Sequence, residues 1–388
     1  MSAREERHKD YGGEEASHAF RVARREPWGQ AWSMQRVYAV IAGTNPGHSA
    51  CSGECARPRA AAVQAEGSCA EEGGPGNFDV SRDPVGRALV RRRRARQKLN
   101  PIGYGAGMWL EMHCHSTCSD GSFAPEEVAG KAMATTPSFF FLTDHDTFEG
   151  FERAKGALAD GVATAPALEL SCKYEGRTVH LLMYGLKEGD ALNTFQIRLD
   201  KIRVARVKRL REICDRFATL GVELDAEKIL STAHGSPGRP HIAKAVVEAG
   251  AATSIKEVFD RWLHDGGPAA IEIERISLED GLTFGKSVGA KMSMAHPHTL
   301  KSPALVEEIV RTYRDAGLEG LEAFYGGYAV AQRRPWLDLV EGYKMVATGG
   351  SDFHGEATPR VARPTIDIPD SYANAIVDWL EIDVAPTA

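Results

Sequence analysis

From Met108 onward the sequence predicts an α/β fold whose strands close, or nearly close, into a barrel. Two observations lead to this prediction. Short apolar runs alternate with helical segments, and histidines and carboxylates recur where the apolar runs end. Of the 388 residues, 43% are hydrophobic and 26% are charged, as in an ordinary globular protein. The net charge of -6 offers no global electrostatic basis for binding nucleic acid or membranes.

Residues 1–107 differ from the rest of the chain, because they show no sustained helical or strand period. They mix Gly, Pro, Ser and Ala with an arginine run at 91–94. Such a segment buries too little apolar surface to offset chain entropy, so we predict a disordered or non-native extension. An RNA-binding arm is the functional alternative for the arginines, and a solvated extension is favoured over it.

The predicted elements of residues 108–388 follow in order along the chain. Strands are predicted at 109–114, 138–143, 162–168, 178–184, 291–295, 318–324 and 344–348. Helices are predicted at 125–134, 303–316 and 329–340. The run at 138–143 is almost wholly apolar, as in a parallel strand that is buried on both faces.

Residues 190–285 interrupt the alternation and are predicted to form an inserted helical subdomain over the barrel mouth. Within them, the segment 198–216 is rich in arginine and lysine. Apolar side chains recur at helical spacing in and just after this segment, at Ile202, Leu210, Ile213 and Phe217. We expect the basic face opposite them to be solvated, and attraction of a phosphorylated substrate is the alternative.

Ligand-type side chains stand at or near the ends of successive predicted strands. They are His113, His115, Asp120, His145, Glu169, His180, His296, Asp352 and His354. In a barrel the carboxyl ends of the strands meet at one face, so these distant positions are expected to form one site. A lone strand-end histidine is usually a packing or exposed residue, whereas this many coincidences predict a cluster of divalent ions.

The donor types constrain the metal. Imidazole and carboxylate donors suit Mn, Fe or Zn better than Mg or Ca, which prefer oxygen ligands alone. Cys114 lies between two histidines of one strand, so its side chain is expected to point away from the ions and to pack. The seven cysteines show no disulfide framework, and no apolar run reaches the ~18 residues of a membrane span. We therefore predict a cytoplasmic protein.

These motifs resemble the PHP (polymerase and histidinol phosphatase) family. In chain order they are HxH at 113–115, SDG at 119–121, TDHD at 143–146, GRPH at 238–241 and GGSDFHG at 349–355. The resemblance covers about 108–365 and is closest to the branch that hydrolyses nucleoside phosphates or trims short RNA from its 5′ end. It implies a distorted (β/α)7 barrel with three metals at the carboxyl face.

The resemblance also implies roles for individual residues. One ion is expected at His113, His115, Glu169 and Asp352. A second is expected at Asp120, His145 and His354, and a third at His180 and His296 with Glu169 as a bridge. Arg239 and His241 precede an amphipathic helix and are expected to contact phosphate. Glu111, where the family usually has Asp, is expected to support the ligands. Residues 262–274 match the family's lid poorly, which weakens any transfer of substrate specificity.

The expected reaction is phosphoester hydrolysis. Dications neutralise the developing charge and lower the pKa of a bridging water from 15.7 toward ~7, so a metal-bound hydroxide is the expected nucleophile. Expected substrates are a nucleoside 3′,5′-bisphosphate, a nucleoside monophosphate or the 5′ end of a short RNA, without stable duplex binding or a membrane partner. Asp146 and His298 are weak candidates for the acid that protonates the leaving oxygen.

Two alternatives stay open. An amidohydrolase-type C–N hydrolase also begins with HxH, but Glu169 in the bridging position and His354 two residues after Asp352 favour the phosphoesterase. A non-catalytic PHP scaffold is disfavoured because all nine ligand positions are occupied. The sequence does not set the oligomeric state.

Overall fold

The computed structural model describes residues 81–82, 88–89, 108–233 and 235–381. The prediction for residues 1–107 therefore lies outside the described residues, except for two short strands. These strands, Ser81–Arg82 and Ala88–Leu89, pair antiparallel. The proposed division at residue 107 stays a prediction.

Among the described residues from Met108 onward, eight strands form two sheets and are numbered from Met108. They are β1 Met108–Leu110, β2 Ala167–Tyr174, β3 Arg177–Tyr184, β4 Ile276–Ser277, β5 Lys291–Met294, β6 Gly320–Tyr325, β7 Val346–Gly350 and β8 Ile366–Ile368. The larger sheet has the order β4-β2-β3-β5-β6-β7, and β8 pairs antiparallel with β1. Strands β5, β6 and β7 are parallel, whereas β3 is antiparallel to both β2 and β5.

The antiparallel hairpin of β2 and β3 departs from a simple strand–helix alternation. Its two turn residues, Glu175 and Gly176, both have positive φ, at 45° and 79°. A two-residue hairpin of this kind matches the right-handed twist of the strands that it joins. The hairpin places Glu169 and His180 on neighbouring strands, where both side chains are used in the site described below.

Single-residue β-bridges connect segments of the chain outside the named strands. Cys114 bridges Phe353, and Glu111 bridges Phe140, both in parallel. The apolar run predicted as a strand at 138–143 is thus present as single bridges rather than a full strand. The structure confirms a mixed α/β fold with a parallel-rich sheet, and the seven-stranded barrel stays a prediction.

Ten α-helices complete the described fold. They are α1 Pro125–Ala132, α2 Phe151–Lys155, α3 Asp190–Thr219, α4 Ala226–Thr232, α5 Arg239–Glu248, α6 Ile255–Val258, α7 Leu278–Ser287, α8 Pro303–Tyr313, α9 Val330–Tyr343 and α10 Asp370–Leu380. Serine side chains cap α7 and α8, where Ser277 and Ser302 accept hydrogen bonds from backbone N–H groups. No helix of the described residues is long and apolar enough to cross a membrane.

Helix α3 joins two apolar clusters. Its first half, including Phe195 and Ile202, packs in the main core with the sheet and with α7 to α10. Its second half, including Leu210 and Phe217, packs in a separate cluster with α4, α5 and α6. Helix α7, at the end of the predicted 190–285 insertion, belongs instead to the main core through Leu278 and Leu282.

The prediction that the basic face of α3 is solvated is wrong for three of its arginines. Arg203, Arg206 and Arg209 are 4%, 7% and 5% exposed. Two of these arginines are buried beside carboxylates. Arg203 pairs with Glu149 at 2.5 Å, and Arg206 pairs with Asp146.

We expect Gly350→Ala to destabilise the fold by about 1–3 kcal/mol, the usual cost of overpacking a core. A Cβ at this position would lie 2.3 Å from Cβ and 2.5 Å from the backbone N of His113, because β7 runs against the segment that bears the ligands. Urea denaturation measures the effect. The matched control is Gly130→Ala in α1, where a Cβ meets nothing within 4 Å and should stabilise by roughly 0.5–1 kcal/mol. Equal stability of Gly350→Ala and the wild type would contradict the close approach.

Candidate metal centre

The structure brings all nine predicted ligand residues into one cluster. Their potential ligand atoms form four groups, and the atoms of each group lie within 4.8 Å of one another. The groups are His115–Asp120–His145–His354, His113–His115–Asp352, His113–Glu169–His296 and His145–Glu169–His180. His296 and Asp352 follow the ends of the parallel strands β5 and β7, whereas Glu169 and His180 lie within the paired strands β2 and β3.

Glu169 on β2 is the centre of this cluster. It is fully buried, and its two carboxylate oxygens lie 2.8–3.3 Å from nitrogens of five imidazoles. Those imidazoles belong to His113, His115, His145, His180 and His296. One carboxylate among so many nitrogen ligands can bridge neighbouring cations.

Five buried donor and acceptor atoms of the cluster make no hydrogen bond of good geometry, although some lie close together, such as His145 Nδ1 and Glu169 Oε2 at 2.8 Å. They are Nε2 of His113, Nε2 of His115, Oδ1 of Asp120, Nδ1 of His145 and Oε2 of Glu169. Buried polar atoms are normally satisfied, so a group of orphaned atoms at one place needs an explanation. Bound cations would satisfy all five, and the residues therefore fit a metal centre.

The charges of the cluster also suit cations. Burial alone would raise the pKa values of Asp120, Glu169 and Asp352, but the neighbouring histidines lower them well below their usual range. For His354, burial opposes the charged form, yet Asp120 and Asp352 raise its pKa to about 10. Burial lowers the pKa of His180 to about 4. The carboxylates are thus ionised at neutral pH, as cation ligands must be.

Two ligand residues have unusual backbone conformations. Asp352 has φ 52° and His296 has φ 24°, and Asp146, next to His145, has φ 53°. Residues other than glycine seldom adopt positive φ, and such strain is common at functional sites. His296 and Asp352 each come two residues after the end of a strand, β5 and β7 respectively.

Two residues that support the ligands were missed from the sequence. Glu322 on β6 is fully buried and lies 3.0 Å from Nδ1 of His113, and it accepts the backbone N–H of His296 at 2.6 Å. Tyr325 donates its hydroxyl to Oδ2 of Asp352 at 3.0 Å. Hydrogen bonds from outside the ligand set orient ligands in metal sites. An acidic residue inside the apolar run Leu321–Glu322–Ala323 was the available signal.

Glu111 supports the ligands as expected, but it does so through their backbone. Its Oε1 accepts the N–H of His113 at 2.8 Å and the N–H of Ser351 at 2.9 Å. Burial raises the pKa of this carboxyl to about 7. Glu111 therefore ties the segment that bears His113 to the one that bears Asp352.

The two predicted phosphate contacts lie at the start of α5. Arg239 lines a cavity of about 250 Å³ together with Arg177, His180 and His296, so it faces the cluster. Its Nη1 also pairs with Asp265 at 2.8 Å. The Nδ1 of His241 accepts the N–H of Gly238 at 3.1 Å, which uses this ring to cap the helix.

The two candidate acids are both engaged with other side chains. Asp146 is buried and ion-paired with Arg206, which also donates to Ser171 at 2.9 Å. The Nδ1 of His298 lies 2.9 Å from the hydroxyl of Tyr328. Asp146 is thus a link between helix α3 and the ligand loop rather than a free acid.

Comparison with known proteins gave several relatives, although no family model matches the chain. It is 28% identical over 256 residues to a 3′,5′-nucleoside bisphosphate phosphatase of Chromobacterium violaceum, covering 63% of this chain and 87% of that protein. It is 27% identical over 246 residues to a 5′-3′ exoribonuclease of Haemophilus influenzae, covering 63% and 89%. A phosphoribosyl 1,2-cyclic phosphate 1,2-diphosphodiesterase of Eggerthella lenta is 28% identical over 253 residues, covering 63% and 94%.

Two solved structures share the fold with a TM-score of 0.62. One is described as an amidohydrolase from Chromobacterium violaceum with bound sulfate and no metal, is 26% identical and covers 67% of this chain and 92% of its own. The other is named for the metal-dependent phosphoesterases, comes from Bifidobacterium adolescentis, is 23% identical and covers 71% and 97%. The relatives confirm the resemblance that the motifs predicted.

Proposed function

We propose that this chain, which is similar to a 3′,5′-nucleoside bisphosphate phosphatase and to a cyclic-phosphate diphosphodiesterase, hydrolyses phosphate esters of nucleotides at a cluster of divalent ions. The observation that carries the proposal is the convergence of six imidazoles and three carboxylates in overlapping groups. Their orphaned buried atoms support the same conclusion.

We propose three ions, with manganese as the first candidate and iron or zinc as the alternatives, because the donors combine imidazole with carboxylate. When bound, such ions neutralise phosphate charge and make water acidic enough to be the nucleophile at neutral pH. The ligand sets implied by the family resemblance share members with the four observed groups but divide them differently. His113 shares one group with His296 and another with His115. His115 also belongs to the group that contains Asp120.

The protein's own residues hold the ligands in position. His113 Nδ1 lies beside Glu322, which favours a proton on Nδ1. Nε2 is then left unprotonated as the atom that would bind a cation, and it lies 3.3 Å from Glu169 and from Asp352. Tyr325 fixes one oxygen of Asp352 and leaves the other toward the imidazoles. A preorganised cluster of this kind does not need to rearrange as negative charge develops on the substrate.

The substrate classes that we propose are a nucleoside 3′,5′-bisphosphate, a nucleoside monophosphate and the 5′ end of a short RNA. Relatives named for a bisphosphate phosphatase and an exoribonuclease support this choice. The cavity lined by Arg177, Arg239, His180 and His296 is the proposed substrate position. A cytoplasmic location and a distorted (β/α)7 barrel belong to the same proposal.

A substrate panel tests the function. The full chain is supplied with Mn²⁺ and given the three nucleotide classes together with a set of amides, and phosphate, mononucleotide and amine release are measured. We expect release of phosphate or mononucleotide only, and none from His113→Ala. Amide hydrolysis without phosphoester hydrolysis would favour the amidohydrolase alternative, which the description of one solved relative keeps open. No turnover on any substrate by metal-loaded protein would favour a scaffold.

A further inference from the structure

Beside the ligands of the metal centre lies a buried carboxylate that belongs to none of the four ligand groups. This residue, Asp144, precedes His145 and is 1% exposed. Its Oδ1 accepts the backbone N–H of Ser116 at 2.7 Å and the hydroxyl of Ser119 at 2.5 Å, and its Oδ2 accepts the hydroxyl of Ser116 at 2.7 Å. Both carboxylate oxygens thus receive hydrogen bonds from the loop 116–120.

The backbone fixes this arrangement on two sides. The carbonyl of Asp144 accepts the N–H of Glu169 at 3.2 Å, and the carbonyl of Ser116 accepts the N–H of Ser119 at 3.0 Å. The neighbouring His145 forms a parallel bridge with Glu169. Asp144 therefore connects the strand that bears the central carboxylate of the cluster to the loop that contains the two serines.

Ser119 is the residue through which this carboxylate reaches a ligand. Its Oγ lies 3.4 Å from Nδ1 of His115, whereas Oδ1 of Asp120 lies 3.8 Å from the same nitrogen. A serine hydroxyl has one proton to donate and lone pairs that accept. The short contact with Asp144 takes this proton, because an ionised carboxylate only accepts hydrogen bonds. The hydroxyl oxygen can therefore only accept from His115, and it does so when Nδ1 carries a proton.

The other nitrogen of this imidazole faces the acids of the metal centre. Nε2 of His115 is buried and lies 3.3 Å from Glu169 and 3.4 Å from Asp352. We propose that Asp144, acting through Ser119, holds the proton of His115 on Nδ1 and so leaves Nε2 unprotonated as the atom that binds a cation. This inference rests on the proposed function, because it assumes that cations occupy the cluster. Asp144 and Ser119 are then positioning residues, which act on a cation only through His115.

The two histidines of the HxH motif receive this support in different ways. Nδ1 of His113 lies 3.0 Å from the carboxylate of Glu322, whereas the hydroxyl of Ser119 stands between His115 and Asp144. The hydrogen bond made by the outer nitrogen sets the tautomer of a ligand histidine. A hydroxyl can donate or accept, so its direction, and with it the tautomer of His115, depends on Asp144.

Binding of Zn²⁺ to the full chain, measured by competition with a chromophoric chelator, tests this role without catalysis. We expect Ser119→Ala to bind Zn²⁺ about 10- to 100-fold more weakly than the wild type, the usual cost of removing a group that orients a ligand. The control is Ser116→Ala, which removes another hydroxyl from the same carboxylate. The Ser116 hydroxyl hydrogen-bonds Asp144 and the N–H of Cys118, so this variant should bind Zn²⁺ like the wild type. An equal loss of affinity in both variants would reduce Ser119 to an anchor of the loop and overturn the inference.

Nuclear magnetic resonance locates the proton itself. Zn²⁺ has a filled d shell and is diamagnetic, so the loaded protein with isotope-labelled histidine suits long-range proton–nitrogen correlation, which distinguishes the two tautomers. The signals of His115 are identified by their absence in His115→Gln. We expect the proton on Nδ1 in the wild type and in Ser116→Ala, and faster exchange of this proton with water in Ser119→Ala. A proton on Nε2 in the wild type would overturn the inference even if Ser119→Ala failed to fold.

The inference and the proposed function fail in different ways. Phosphoester turnover with Zn²⁺ affinity that is the same in Ser119→Ala and the wild type would overturn the role of Ser119 and leave the function standing. Zn²⁺ binding that is weakened in Ser119→Ala and kept in Ser116→Ala, without turnover of any phosphoester, would support the role of Ser119 and overturn the function.

Discussion

Glu169→Gln is expected to lower kcat by about 1,000-fold or more, because loss of a metal bridge removes several kcal/mol of transition-state stabilisation and each 1.36 kcal/mol is tenfold in rate. Glutamine keeps the size of the side chain and loses its charge. Five imidazole nitrogens lie 2.8–3.3 Å from the Glu169 carboxylate, more than lie beside either Asp120 or Asp352 in the described cluster. The measurements are steady-state kinetics with Mn²⁺ and metal content by elemental analysis.

The control for Glu169→Gln is Glu272→Gln. Glu272 also pairs with a basic group, Lys173 at 3.3 Å, but its side chain is 69% exposed and belongs to none of the four ligand groups. We expect this variant to keep wild-type kinetics and metal content. Wild-type turnover and full metal content in Glu169→Gln would show that Glu169 does not bridge cations.

The convergence of the candidate ligands could be predicted from the sequence because strand geometry fixes where such residues point. His113 and His115 stand two residues apart in extended chain, so both rings face the cluster. Cys114, between them, was predicted to pack, and it is fully buried in an apolar cluster with Phe140 and Val128. The alternation of side chains along an extended segment sets the direction of these three side chains, so the sequence alone is enough to predict it.

The supporting residues could not be predicted in the same way, because their roles depend on contacts between distant segments. In the sequence, Arg206 cannot be distinguished from the other basic residues of an amphipathic helix. Only the packing of α3 against the sheet places it beside Asp146, 60 residues earlier in the chain. The antiparallel pairing of β2 and β3 is another such case, because the turn at Glu175 and Gly176 reverses the chain where the barrel prediction implied parallel strands.

Removal of the divalent ions is expected to lower the unfolding temperature as well as activity. Ions that bind the folded chain and not the unfolded one stabilise it by about 2.7 kcal/mol per site at 100 times the dissociation constant. For a chain of this size each kcal/mol corresponds to roughly 2–4 °C, so chelation should lower the midpoint by about 5–10 °C for one site and more for several. Differential scanning fluorimetry of the Mn²⁺-supplemented and chelated protein measures the shift.

The size of this shift should grow with pH. In the metal-free cluster Asp120 and Asp352 raise the pKa of His354 to about 10 against burial, from the ordinary 6.5. A raised histidine pKa stabilises the metal-free fold fully below pH 6.5, and this stabilisation is lost as the pH rises toward 10. Protons also compete with cations for the same nitrogens, so metal binding strengthens as the pH rises. The difference in midpoint between loaded and chelated protein should therefore be larger at pH 8.5 than at pH 6. Glu169→Gln should show a much smaller difference at both pH values, and an equal, pH-independent shift in both proteins would place the stabilising cations outside this cluster.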